Sequence, residues 1–158
     1  DGKDSYRGHG FQVHVGPMKP TSRGSITLNP KDAALAPKIL FNYNATEQDQ
    51  QVMQRGIELA RHLMNSPSFS EFKGKELRPG PVDLPAFVHR FGESAYHPCG
   101  TCRMGRDSDA VVSPEGQVNG VSGLRVVDAS IMPEITNGNL NAVVIMMAEK
   151  IAAKIVGA

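Results

Sequence analysis

Tryptophan is absent from this chain, and Phe and Tyr bring the aromatic content to only 6%. Proteins that hold single-stranded nucleic acid stack its bases on aromatic faces, and that class has little to work with here. The formal charge of +1 removes any broad attraction to polyanions or anionic bilayers, so no nucleic-acid partner is expected. Cysteine is nearly missing. Cys99 and Cys102 are the only two; they cannot build a disulfide framework and fit a reducing compartment. Long apolar runs are missing too. The best candidate, AVVIMMAEKIAAKIV (142–156), contains Glu149, Lys150 and Lys154 and falls short of the about 20 apolar residues that a bilayer demands. A buried helix explains it better. Finally, no strand is followed by GxGxxG and no P-loop occurs, so the chain has no dinucleotide or phosphate cradle of its own.

What is present is an ordinary globular composition, 40% hydrophobic and 21% charged over 158 residues, enough for one domain that buries roughly 68–70% of its unfolded surface. The polar opening DGKDSYRGHG has neither an initiator Met nor the apolar stretch of a signal peptide, the pattern of a fragment or a processed product. Alternation in FQVHV (11–15), SITL (25–28) and KILFNY (38–43) predicts three short strands. Thr46 then caps a helix whose first turn carries Glu47 and Asp49. Val52, Met53, Ile57, Ala60, Leu63 and Met64 follow at helical spacing until Asn65 and Pro67 stop it. Residues 66–82 read as a proline-rich loop. Asp83 opens a short helix closed by Gly92, GLRVVDAS (123–130) reads as a buried strand, and Asn139 opens the last helix. The order of elements is that of an α+β fold, an antiparallel sheet with packed helices.

The densest chemistry lies in HPCGTCRMG (97–105). Its CxxC lacks what either usual role needs. A structural zinc site takes four ligands, and no second CxxC or His pair accompanies it; no metal site is expected. Thioredoxin-type chemistry places the pair at a helix N-terminus, whereas Arg103, Met104 and Gly105 lead here into RDSD. Packed, reduced thiols fit best, with a non-enzymatic thiol or metal module as the rival from another class. His97 stands apart from His62 and His89, which read as helix-face histidines, because Tyr96 and Pro98 set it on an ordered turn among glycines.

Taken together, YHPCGTCRMG (96–105), GLRVVDASIMPEITNGNLNA (123–142) and the helix with MMAEKIA resemble the C-terminal part of the glucose–methanol–choline family of FAD-dependent alcohol oxidoreductases. GHGFQVHVGPM, SRGSITL, ILFNY and GKELRPG are most similar to its choline-oxidising branch. The resemblance implies a partition into residues 1–95, a portion of a substrate-binding domain, and residues 96–158, carrying the catalytic histidine motif and the last strand and helix of the FAD-binding domain. It implies FAD as cofactor, supplied with the missing N-terminal FAD-binding part of the same protein, so the chain alone is expected to be silent. The substrate would be a small alcohol, with choline going to betaine aldehyde and glycine betaine, or another primary alcohol, and the electrons would pass to an acceptor. Residues implied to hold a quaternary ammonium lie upstream, and the implied location is the cytoplasmic side, peripheral to the inner membrane. His97 would be the base for the substrate hydroxyl, and Asn139 its partner on the same oxygen. Asp128, Ala129, Leu140 and Asn141 would face the cofactor, although Asp128 reads equally as a turn-capping carboxylate from its residue type. Relatives tolerate other residues at Cys99 and Cys102, which makes the CxxC incidental.

Overall fold

A computed structural model describes residues 6–30, 32 and 34–157. The chain divides into two compact units that alternate along the sequence: Asp1–Ser22 with Asn44–Gly92, and Arg23–Tyr43 with Glu93–Ala158.

The first unit is built on α1 (Glu47–Met64) and α2 (Leu84–Phe91). α1 starts where the sequence places it. The Thr46 hydroxyl accepts from the Asp49 amide, and Asn65 closes the helix by donating to the carbonyls of its last turn. Asp49 does more than favour the helix dipole. It is buried at 2% exposure, and its carboxylate accepts from the amides of Thr21 and Ser22, each at 2.8 Å, and from both their hydroxyls. The lead-in segment is thereby clipped to the start of α1. FQVHV is a correction: it forms no ladder among the described residues. A period of two specifies an extended backbone but not a neighbour to pair with. Val15 lies instead over Gly56 of α1, where an added Cβ would come within 2.3 Å of the valine Cγ1. The glycine costs the helix about 1 kcal/mol relative to alanine and opens room for that approach. Downstream, a 3₁₀ turn (Pro67–Phe69) interrupts the loop. Arg61 grips Glu76 and the Gly80 carbonyl, and Asp83 caps α2 as expected.

In the second unit, β1 (Ser25–Thr27) and β2 (Lys38–Leu40) pair antiparallel, with Ile26 opposite Ile39. β2 stops short of the predicted Tyr43 because Asn42 turns to a φ of 53°, where no strand can continue. GLRVVDAS is also corrected. Arg125 makes a single bridge to Gln117, and Ala129–Ile131 closes into a 3₁₀ turn. The core gathers Val112, Ile131 and Ile151 with Met104, Val118, Val126, Val127 and Met147. Its helix, α3, spans Asn141–Val156, so Asn139 lies two positions before it rather than opening it. Ile145, Met146, Ile155 and Val156 are more than half exposed, so α3 presents apolar side chains outward beside Glu149, Lys150 and Lys154. Among the described residues, three α-helices and a two-stranded antiparallel sheet make up the α+β fold.

Much apolar surface stays uncovered. Leu28, Leu40 and Phe72 are among the large side chains left more than half exposed. No helix among the described residues is long and apolar enough to cross a membrane.

Candidate functional site

The segment carrying His97 is held by its backbone. The amides of Gly100, Cys102 and Met104 donate in turn to the carbonyls of Ala129, Ser130 and Ile131, at 3.3, 2.9 and 2.7 Å. Two stretches 27 to 29 residues apart along the chain are thus zipped side by side. Gly100 takes a φ of +89°, and a Cβ there would stand 3.2 Å from the Met132 carbonyl. The turn after His97 therefore calls for glycine, both for the left-handed backbone and for the close approach. Met104 and Ile131, one from each stretch, enter the core that Met147 and Ile151 of α3 complete. Three separate sequence blocks converge on one packed centre.

Tyr96, immediately before His97, is a non-glycine residue at a φ of 60°. Such conformations cost of order 1–3 kcal/mol and persist only where the surroundings impose them. The Ser94 hydroxyl accepts from the Tyr96 amide at 2.9 Å and from the Tyr43 hydroxyl at 2.8 Å. Neither Ser94 nor Tyr43 was singled out from sequence. The signal available was a serine two residues before the strained position, the spacing at which its hydroxyl can close a turn.

His97 is half-buried, and Asn139 and Asn141 are exposed on either side of Leu140, which is buried at 5%. The structure brings the His97 segment alongside Ala129; it forms no hydrogen bond between His97 and Asn139, and among the described residues both side chains keep their donors and acceptors unspent. Asp128 performs the capping role, with Oδ1 accepting from the Ser130 amide at 2.7 Å and its hydroxyl at 2.5 Å. Oδ2 remains free of these bonds. α3 begins without a side-chain cap and without an acidic residue in its first turn, unlike α1 and α2 with their caps from Thr46 and Asp83. Its first amides and the positive end of its dipole thus lack a side-chain partner, which suits negative charge such as a reduced flavin carries.

Cys99 and Cys102 are free and half-buried. Burial pushes the Cys99 thiol above its ordinary pKa, against a smaller downward pull from the Arg23 guanidinium. A reactive thiol needs the opposite shift. Among the described residues, no three His, Cys, Asp or Glu side chains cluster in a way that could hold a metal ion.

A family profile described as GMC oxidoreductase matches residues 20–148. The chain belongs to the GMC oxidoreductase family. It is 49% identical to the oxygen-dependent choline dehydrogenase of Chromohalobacter salexigens, over 99% of this chain and 29% of that protein. It is 51% identical to the one of Pseudomonas fluorescens, with the same coverage. The chain therefore spans about 29% of the length of these curated relatives. Among solved structures, pyridoxine 4-oxidase from Mesorbium loti superposes with a TM-score of 0.80 at 34% identity, covering 89% of this chain and 28% of that one. A formate oxidase of Aspergillus oryzae gives 0.78 at 31% identity, covering 85% and 25%. Both neighbours, like the choline dehydrogenases, carry names of oxidoreductases.

Proposed function

We propose that this chain is the C-terminal part of an FAD-dependent choline dehydrogenase, which oxidises choline to betaine aldehyde in glycine betaine formation. The observation that carries the reading is the backbone zip between residues 100–104 and Ala129–Ile131 over a core shared with α3. It gathers the histidine motif, the Asp128 segment and the helix with MMAEKIA, one element from each of the three blocks that carry the family resemblance. Identity near 50% to choline dehydrogenases over 99% of the chain supports choline over other primary alcohols, and the name of those relatives points to oxygen as the electron acceptor.

In this reading, bound FAD supplies the hydride acceptor at flavin N5. His97 accepts the hydroxyl proton of the substrate, a task suited to an imidazole, whose ordinary pKa is about 6.5. Asn139 donates its amide to the same oxygen as negative charge develops there, and it cannot replace the base. The open first turn of α3, with Leu140 and Asn141, would offer N–H groups to a bound flavin. Asp128 and Ala129 sit on the zipped strip beside the His97 turn, with Asp128 Oδ2 left to accept from the cofactor. The thiol pair takes no chemical step.

Residues 1–95 are assigned to the substrate side and 96–158 to the histidine motif and the FAD-binding side. The exposed apolar area supports a chain covered by more protein, the N-terminal FAD-binding part of the same enzyme. Cytoplasmic location at the inner membrane, held peripherally, completes the proposal, and cell fractionation tests it. The activity itself is tested by purifying the full-length protein, reading its flavin absorbance, and adding choline without oxygen. Bleaching of the flavin at a saturable rate is expected. A flavin-loaded protein that choline leaves oxidised while another primary alcohol bleaches it would overturn the choline assignment.

A further inference from the structure

We infer that Ser94 and Tyr43 are positioning residues for His97: together they clamp the strained backbone that presents the imidazole. This rests on the reading of His97 as the base. Tyr96 holds a φ of 60°, a region that a bulky side chain avoids unless something imposes it. What imposes it is a two-bond relay. Ser94 Oγ takes the Tyr96 amide at 2.9 Å, which fixes the peptide at the point where the chain turns into His97. The Tyr43 hydroxyl donates to the same oxygen at 2.8 Å, from 51 residues away in sequence. With both donors in place, the serine rotor has one orientation left.

Tyr43 is itself well placed to be the fixed end. Asn42 and Asn44 on either side take left-handed φ values of 53° and 56°, and the Asn42 side chain donates to the Arg23 carbonyl at 2.9 Å. The Tyr43 ring stacks on Phe41 with centroids 5.2 Å apart and planes within 17°. Downstream of His97, the zip from Gly100 to Ala129 holds the other side of the turn. His97 is therefore pinned from both directions along the chain, by Ser94 before it and by the zip after it. The pin upstream is the one made of side chains, so single substitutions can release it without touching the imidazole. A general base must stand within hydrogen-bond reach of its proton, and a misplacement of about 1 Å can cost roughly 100-fold in rate.

The test uses the FAD-loaded full-length enzyme and anaerobic flavin reduction by choline. Tyr43→Phe and Ser94→Ala should each lower the limiting reduction rate by about 10- to 100-fold, with flavin content and the half-saturating choline concentration little changed. Ser94→Thr keeps the acceptor oxygen and should recover most of the rate lost in Ser94→Ala. In a His97→Ala background, Tyr43→Phe should slow the reaction no further, because a clamp has nothing left to position. Wild-type rates for both Tyr43→Phe and Ser94→Ala overturn the clamp, as does a Tyr43→Phe loss that multiplies undiminished onto His97→Ala. A His97→Ala enzyme that reduces its flavin at the wild-type rate sinks the reading beneath it instead, so the two failures are told apart.

Discussion

Replacing Asp49 with asparagine should loosen the start of α1 far more than a surface substitution would. Burial by itself would raise the pKa of this carboxyl; donation from the Ser22 hydroxyl, the Thr21 and Ser22 amides and the Thr21 hydroxyl outweighs that and holds it at about 2, from an ordinary 3.8. The folded state thus favours the charged form by about 2 kcal/mol through proton linkage. Asparagine keeps the shape but turns one accepting oxygen into a donor that faces the Ser22 or Thr21 donors. Because the folded pKa is depressed, the stabilisation is fully present above about pH 5. It fades as the pH falls through the unfolded and then the folded value, with roughly half gone at pH 3. The assay is hydrogen exchange read by mass spectrometry on peptides covering residues 20–24 and 45–52. At pH 7, Asp49→Asn should lower their protection by about 30-fold, the equivalent of about 2 kcal/mol, and leave α3 unchanged. The gap between the variants in urea midpoint should narrow between pH 6 and pH 3. Equal protection at pH 7, or a gap that widens in acid, would refute the reasoning.

Changing Cys99 and Cys102 together to serine should leave flavin content intact and turnover within a few-fold, since burial keeps the Cys99 thiol protonated; abolished turnover at normal flavin content would restore a thiol mechanism. Gly100→Ala should lower the unfolding midpoint and slow flavin reduction. Its φ of +89° costs about 1–2 kcal/mol with a Cβ, and the Met132 carbonyl crowds the new methyl. An unchanged midpoint would show that the turn relaxes freely.

Helix ends were legible where a side chain makes the cap. Thr46 and Asp83 are N-caps by residue type and by geometry, and Asn65 and Gly92 close their helices as read. Asn139 looks like a good cap too, yet α3 starts at Asn141, with Leu140 in the cap position. Leu140 is 5% exposed, and seating that side chain decides the start over local capping preference. FQVHV announced an extended backbone, but periodicity carries no information about what lies beside it. The role of Asp49 was hidden for a related reason: its partners lie 27 and 28 residues away, beyond any local pattern. The candidate site was legible as three blocks and not as a geometry. The zip runs through backbone groups that every sequence possesses, and the Tyr43–Ser94 bond joins residues 51 apart.

The central claim is that His97 is the proton acceptor and Asn139 its lesser partner on one substrate oxygen. Stopped-flow reduction of the enzyme-bound flavin by choline, without oxygen and across pH 6 to 9, isolates that step from the chemistry of the electron acceptor. His97→Ala should bind FAD normally and slow reduction by roughly 10²–10⁴-fold. Asn139→Ala should slow it less, and the double variant should lose less than the product of the two. Flavin reduction at the wild-type rate in His97→Ala across that pH range would make His97 a structural histidine and contradict the mechanism.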